Sequence, residues 1–104
     1  MINKLRETWP YTIVILKKGP LFANRPETKQ IIWEHGRRNF SLKANGLMPI
    51  VCPVNDGSEI SGIGIFNADV EETKILMEDD PGVKDGIFVF EIHPTRSFPG
   101  SCLP

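Results

Sequence analysis

The chain has 104 residues, of which 40% are hydrophobic and 24% charged, a composition typical of a globular domain with one hydrophobic core. Twelve Lys and Arg residues stand against 13 Asp and Glu, and this formal net charge of -1 indicates no basic surface for a nucleic acid. The longest apolar run, Ile13 to Leu16, is far too short to span a bilayer, and residues 1–10 have no apolar segment like that of a secretory signal. We therefore expect one domain over residues 1–104, in the cytoplasm, with no nucleic-acid or membrane partner and with Cys52 and Cys102 as free thiols.

The first half of the chain predicts one strand and one long helix. Tyr11 to Lys17 is an apolar run rich in β-branched residues, and it ends at a Gly-Pro turn as strands often do. Pro26 suits the first turn of a helix that continues to Asn45 and stops at Gly46. One stripe of this helix carries Ile31, Ile32, His35, Asn39 and Leu42.

The next segments predict two strands joined by a turn. Leu47 to Val54 contains two prolines, which cannot donate hydrogen bonds to a ladder and therefore place this strand at a sheet edge. Ile60 to Ala68 is the third strand. Gly62 and Gly64 leave little side chain there and allow the close approach of another backbone or of a ligand.

The last part of the chain predicts a short helix and a fourth strand. Asp69 is a candidate N-cap for a helix from Val70 to Asp79, because Glu72 lies three residues further on in the capping-box position. Asp80-Pro81-Gly82 ends that helix. Ile87 to His93 is the final strand, and the tail from Pro94 to Pro104 is expected to be irregular.

The order of these elements predicts the fold class. Strand, helix, strand, strand, helix, strand is the split βαβ pattern of a ferredoxin-like α+β sandwich. Two helices cover one face of four strands, yet Ile13 and Ile15 alternate with Val14 and Leu16, so both faces are apolar. A monomer seldom exposes so much apolar surface, and we therefore expect the open sheet face to pair with a second copy in a homodimer.

His35 is the first residue with candidate chemistry. It lies in the middle of the predicted helix and on its apolar stripe, so its ring is expected to face the sheet. One interpretation is a core histidine bonded to a backbone carbonyl. The other is a proton-transfer histidine, which needs a neighbouring carboxylate to orient the imidazole.

Asp79 and Asp80 are candidates for that carboxylate. Both fall at the C-terminal end of the second predicted helix, where the helix dipole disfavours negative charge. A structural interpretation of Asp80 is a turn in which its side chain accepts backbone amides. The corresponding interpretation of Asp79 is a side chain that is simply solvated. The sequence spacing alone cannot establish whether His35 lies beside Asp80; only the fold can.

A set of short segments matches a known family in order and spacing. They are Arg25-Pro26, Trp33-Glu34-His35, Asn45-Gly46-Leu47, Asp80 to Phe88, and Glu91 to Pro94. From about Tyr11 to Pro94 the chain resembles the YciI-like, or YCII-related, family of small bacterial proteins. The resemblance implies the dimeric α+β barrel form of the ferredoxin-like fold. It also implies that a His and Asp pair, here His35 and Asp80, forms the proposed active site.

The same resemblance implies two kinds of reaction. One activity in or near the family eliminates chloride from a chlorinated hydroxyquinol, and muconolactone isomerases of the same barrel class shift protons on a lactone. Both transfer a proton beside a conjugated, oxygenated ring. The chain departs from the family at Cys52-Pro53, where a Gly-Pro pair is common, and this change alters the expected pocket wall.

Two functional hypotheses follow. The first is a small lyase or isomerase without a cofactor, in which His35 is the general acid or base and Asp80 orients it. The second is a non-catalytic small-molecule-binding or accessory module with the same dimeric barrel, in which the pair satisfies a buried polar site.

The remaining residues and motifs predict no functional site. His93 is expected at a strand end, and Arg37-Arg38 is expected to be a solvated helix face. Gly62-Ile63-Gly64 lacks the spacing of a dinucleotide-binding loop, so no nucleotide-phosphate site is predicted. Two separated histidines without motif spacing predict no metal centre.

Overall fold

The structure is a computed structural model that describes residues 8–22 and 26–104, with the Pro26 side chain excepted. Residues 1–7 and 23–25, among them Arg25 of the family resemblance, lie outside the described residues. The strands and helices in the described part are β1 (Trp9–Lys18), α1 (Pro26–Ala44), β2 (Ile50–Pro53), β3 (Ile60–Phe66), α2 (Val70–Glu78), α3 (Pro81–Lys84) and β4 (Phe88–Ser97).

The sheet has the topology predicted from the element order. Its four strands lie in the order β2-β3-β1-β4, and every neighbouring pair is antiparallel. This is the strand order of a ferredoxin-like α+β fold, which confirms the predicted fold class. β2, the strand with Pro53, lies at one edge, where a missing backbone N–H costs no ladder bond.

One face of the sheet packs against the helices. Thr12, Val14 and Leu16 of β1 are 1%, 2% and 7% exposed, and the residues between them are half-buried. The inward side chains form a core with residues of the other elements: Leu42, Met48, Phe66, Met77, Ile87 and Phe88. The two-residue period of β1 therefore decides which of its apolar side chains lie under the helices.

No helix of the described residues packs on the opposite face of the sheet. In the antiparallel register Ile13 lies opposite Ile65, and Ile15 lies opposite Ile63. Directly opposed side chains point to the same face, so these four form an apolar band. Ile63 is 38% exposed. The apolar character of both strand faces, predicted from the alternation, is thus present in the fold.

The last strand is longer than predicted. β4 pairs with β1 along its whole length, from Lys18 opposite Phe88 to Trp9 opposite Ser97. Residues 94–97, predicted to be an irregular tail, therefore belong to the sheet. Pro94 is tolerated because β4 is an edge strand.

A short third helix was not predicted. The segment Asp80-Pro81-Gly82 ends α2 as expected, but α3 starts within it and runs over Pro81–Lys84. Asp followed by Pro suits a turn and also suits an N-cap with Pro in the first helical turn. Four residues are too few for a periodic pattern to distinguish the two.

Across residues 8–22 and 26–104, no helix combines the length and the apolarity that are needed to cross a membrane.

Candidate functional site

His35 and Asp80 are in direct contact, although they lie 45 residues apart in the sequence. The imidazole Nδ1 is 2.8 Å from Asp80 Oδ1 and 2.9 Å from Oδ2. Both residues are buried, at 9% and 1% exposure. The contact forms because α1, which carries His35, packs against α3, which begins directly after Asp80.

Asp80 is held in place as the N-cap of α3. Its Oδ2 accepts the backbone N–H of Gly82 at 2.9 Å and of Val83 at 3.2 Å. The sequence predicted that the helix dipole disfavours the negative charge of Asp80. This prediction was wrong, because Asp80 is the N-cap of the next helix, where the dipole favours an anion. The structural alternative for Asp80, a turn in which its side chain accepts backbone amides, is therefore present. Asp80 makes the contact with His35 in addition to these hydrogen bonds.

Asp79 is a solvent-facing neighbour of the site. It is the C-cap of α2, and its side chain is 67% exposed. Lys84 Nζ lies 2.9 Å from its Oδ1, and this hydrogen bond, together with the Lys84 and Arg38 charges, holds the pKa of Asp79 below its ordinary value. These cations offset the unfavourable position of the acid at the end of α2.

Arg38 is a member of the site that sequence reasoning missed. The Arg37-Arg38 pair was expected to be solvated; Arg37 is exposed, but the Arg38 side chain is only 20% exposed. Its Nη1 is buried, makes no hydrogen bond to the described residues, and lies 3.7 Å from Asp80 Oδ1. Arg38 therefore places a positive charge beside the carboxylate that holds His35. Its side chain is not among those that line the nearby cavity.

The hydrogen bonds of His35 define its tautomer. An ionised carboxylate only accepts, so Nδ1 carries the proton that is donated to Asp80. Asn39 Nδ2 lies 3.2 Å from Nε2, and an amide NH₂ only donates. Nε2 therefore keeps a lone pair and accepts from Asn39, one helical turn further along α1. Asn39 lay on the predicted stripe of α1, but no role was assigned to it.

Phe88 packs against the imidazole from the sheet side. The two ring centroids are 4.8 Å apart and the planes are tilted by 44°. Gly82 makes this packing possible, because a Cβ at that position would lie 2.4 Å from Phe88 Cδ2 and 3.1 Å from Asp80 Oδ2. A glycine in α3 thus lets Phe88 and Asp80 approach His35 together.

A cavity of about 260 Å³ lies between α1 and the sheet, with His35 in its wall. Its lining is mainly apolar and includes Val14, Leu16, Met48, Phe66, Met77 and Phe88. The polar side chains of the lining are His35, Asn39 and Ser61. An apolar cavity of about 150 Å³ is large enough to bind benzene. The cavity therefore has room for one substituted six-membered ring.

The remaining candidate residues lie in different places. His93 is inside β4 rather than at a strand end, and its Nε2 lies 3.2 Å from Glu91 Oε2, away from the cavity. Cys52 and Pro53, the departure from the family pattern, do line the cavity, and Cys52 is a free thiol. Gly62 and Gly64 line it as well. In the part of the chain that the structure describes, no cluster of three or more His, Cys, Asp or Glu residues could hold a metal ion.

Comparison with known proteins supports the fold. No protein-family model and no curated protein sequence matches the chain. Among solved structures, it is similar to 5-chloro-2-hydroxyhydroquinone dehydrochlorinase (TftG) from Burkholderia phenoliruptrix AC1100 in complex with 2,5-dihydroxybenzoquinone. The alignment has a TM-score of 0.50 and 17% sequence identity and covers 79% of this chain and 90% of that one. At this identity the likeness shows a shared α+β fold.

Proposed function

We propose that the chain is a YciI-like enzyme, a small lyase or isomerase, that uses His35 and Asp80 to transfer protons on an oxygenated cyclic or aromatic metabolite. The observation that carries the proposal is the arrangement of the imidazole. Nδ1 is bound to a buried carboxylate, and the ring forms part of the wall of an apolar cavity. Because Asp80 does not line the cavity, the Nε2 edge is the one available to a ligand.

In the proposed reaction Nε2 is the general base. It takes a proton from a hydroxyl or a carbon of the ring, and the electron pair of the broken bond moves into the conjugated system. Asp80 stabilises the imidazolium that forms, as a buried carboxylate does for an oriented histidine. In an elimination, a leaving group such as chloride departs with its bonding pair. In an isomerisation, the imidazolium returns the proton to another atom of the substrate.

Two further features support this substrate class. The cavity is apolar and of a size for one ring, with its polar groups confined to His35, Asn39 and Ser61. TftG, the structurally similar protein, is named as a dehydrochlorinase of a chlorinated hydroxyhydroquinone. The proposed substrate of the present chain is a ring of that kind, with hydroxyl or carbonyl groups and little charge.

The decisive experiment compares three variants on two probes, 5-chloro-2-hydroxyhydroquinone, followed by chloride release, and muconolactone, followed by ultraviolet absorbance. His35→Gln is expected to lower turnover by about 10²–10⁴-fold, the usual effect of losing a general acid or base. Asp80→Asn is expected to lower it less, because the base remains and only its orienting charge is removed. His93→Gln is the matched control and is expected to keep wild-type turnover, since His93 lies outside the cavity.

A second candidate function, a non-catalytic binding module, is favoured by one specific observation. Both ring nitrogens of His35 are already hydrogen-bonded within the protein, one to Asp80 and one to Asn39. A buried histidine whose two ring nitrogens are hydrogen-bonded within the protein is explained by its structural role alone, without a catalytic one. Wild-type protein that binds 2,5-dihydroxybenzoquinone but turns over neither probe would support the binding module, and full turnover by His35→Gln would rule out the catalytic role.

We also propose that the open sheet face joins a second copy of the chain in a homodimer. This face combines the apolar band of Ile13, Ile15, Ile63 and Ile65 with a cation and an anion, Lys17 and Glu91, that hydrogen-bond each other. A twofold interface presents the same patch from both partners and so must be self-complementary. An apolar band beside paired opposite charges meets that requirement.

A further inference from the structure

Gly36 is an unusual residue for its place in the helix. It lies in the interior of the 19-residue α1, directly after His35. Glycine is the least favourable residue in a helix interior apart from proline, because it loses the most backbone freedom on folding. The φ angle of Gly36 is not positive, so the backbone does not require a glycine here.

Packing does not require a glycine at this position either. A Cβ on Gly36 would meet no atom of the described residues beyond its chain neighbours and the helix backbone within 4 Å. The other glycines near the site behave differently: a Cβ on Gly82 would lie 2.4 Å from Phe88 Cδ2, and one on Gly64 would lie 2.7 Å from Met48 Sδ. Packing therefore requires a glycine at those two positions, whereas the space beside Gly36 is open.

The open space at Gly36 belongs to the cavity wall. Four residues of α1 at helical spacing line the cavity: Ile32, His35, Gly36 and Asn39. Three of them carry side chains into that wall, and Gly36, which is half-buried, leaves a gap between them. Gly36 thus shares the cavity wall with the His35 ring and with Asn39, whose amide is bonded to Nε2.

We propose that Gly36 is the residue that determines which small molecules reach His35. The missing side chain admits the edge of a ring to Nε2, and a larger residue at position 36 closes the approach. The inference rests on the proposed function only in naming the entering molecule as a ring substrate. Access to the imidazole is a property of the cavity and can be measured without turnover.

The test uses diethyl pyrocarbonate, a small reagent that acylates accessible, unprotonated imidazoles. Mass spectrometry of the intact folded protein followed by peptide mapping measures the rate at His35 and, in the same molecule, at His93. The chain has only these two histidines, and N-acetylhistidine added to the same reaction is the reference for reagent and pH. The variants are Gly36→Ala and Gly36→Leu, with Ser41→Leu as the matched control, since Ser41 is an exposed residue of α1 outside the cavity.

The expected result is a graded loss of access at His35 alone. Gly36→Leu slows its acylation by at least about tenfold, equivalent to about 1.4 kcal/mol in the barrier, and Gly36→Ala slows it by a smaller factor. Ser41→Leu leaves both rates unchanged, and no variant alters the rate at His93. Gly36→Ala melts at or above the wild-type Tm, because alanine favours the helix and meets no neighbour.

Three outcomes would overturn the proposal. They are equal His35 rates in wild type and Gly36→Leu, a wild-type His35 that stays unmodified while added N-acetylhistidine reacts, and a lowered Tm in Gly36→Ala. None of them depends on catalysis. A failed proton-transfer role would appear instead as unchanged turnover in His35→Gln, so the two proposals fail independently.

Discussion

The Asp80 carboxylate accepts hydrogen bonds from donors of two kinds, the His35 ring and the backbone amides of Gly82 and Val83. The amides belong to the cap of α3, and the ring belongs to the cavity wall. One side chain thus ties the start of a helix to the proposed catalytic residue. The two roles of Asp80 are separable, because a cap needs an acceptor oxygen whereas the orientation of an imidazolium needs a negative charge.

Two substitutions of Asp80 separate these roles. Asp80→Asn keeps a side-chain oxygen that caps a helix about as well as aspartate does. Asp80→Ala removes the cap, which costs about 0.5–2 kcal/mol, and it also leaves buried donors without a partner. We therefore expect Asp80→Ala to have the lower free energy of unfolding of the two, as measured by urea denaturation. Equal free energies of unfolding for the two variants would show that the cap contributes nothing.

At the level of secondary-structure elements, the junction of α2 and α3 decides the geometry of the site. α2 ends at Glu78 and α3 begins at Pro81, so the chain turns over Asp79 and Asp80. The first carboxylate faces solvent and pairs with Lys84, and the second points inward to His35. Adjacent acids therefore have different environments because the backbone reverses between two helices.

The Asp79–Lys84 pair makes the stability of this junction depend on pH. The pKa of Asp79 is lowered in the folded state, chiefly by its hydrogen bond to Lys84. Its stabilising contribution is therefore present above the unfolded pKa, about 3.9, and is lost as pH falls through the lower folded value. We expect Lys84→Met to lower the Tm slightly at pH 7 and to have a progressively smaller effect as the pH falls below the unfolded pKa of Asp79. Lys74→Met, elsewhere on α2, is the control, and a pH-independent effect of Lys84→Met would contradict the assignment.

Gly82 tests how tightly α3 packs against the sheet. A Cβ in Gly82→Ala would overlap the Phe88 ring, which is only 5% exposed and has little room to move. Overpacking of this kind costs about 1–3 kcal/mol, so we expect a clear fall in the urea midpoint. The same change at Gly36, where a Cβ meets nothing, is the matched control and should not destabilise the protein. Similar losses in both variants would mean that helix position, not packing against Phe88, explains the effect.

At the scale of the whole molecule, the helices of the described residues cover one face of the sheet and leave the other, apolar face open. The open face includes Ile13 and Ile15 in the middle of β1 and Val89 in β4, which is 44% exposed. Exposed apolar surface on this scale favours association, because burying it removes it from water at roughly 25 cal/mol per Å². The proposed dimer covers this face.

A single charge on the open face tests the dimer. Ile15→Asp would place a carboxylate at the centre of the proposed interface, directly opposite the Glu91 carboxylate of β4, and we expect it to shift the protein from dimer to monomer. Ile75→Asp is the matched control, because Ile75 is 65% exposed on α2, away from the sheet. Sedimentation velocity at micromolar concentration distinguishes the outcomes. A wild-type monomer, or dissociation by Ile75→Asp alone, would contradict an interface on this face.

Local chemistry in the sequence was sufficient to predict most elements of this fold. The bounds of α1 follow from Pro26 and the Asn45-Gly46 stop, and the Asp69 cap of α2 accepts the Glu72 amide at 2.8 Å as expected. The edge position of β2 follows from its proline. These features depend on neighbours within a few residues, and propensity, capping and missing N–H groups act at that range.

The tertiary structure decided what the sequence left open. β4 extends to Ser97 because β1 supplies a partner for each residue, and pairing across 88 positions has no local signal. Likewise, His35 meets Asp80 only because α1 packs on α3, a helix too short to show a period. The charge that Arg38 places beside Asp80 also depends on that packing, and the gap at Gly36 belongs to the cavity between α1 and the sheet. A sequence pattern specifies which side of an element is apolar, but the distances between side chains on different elements are set only when those elements pack together.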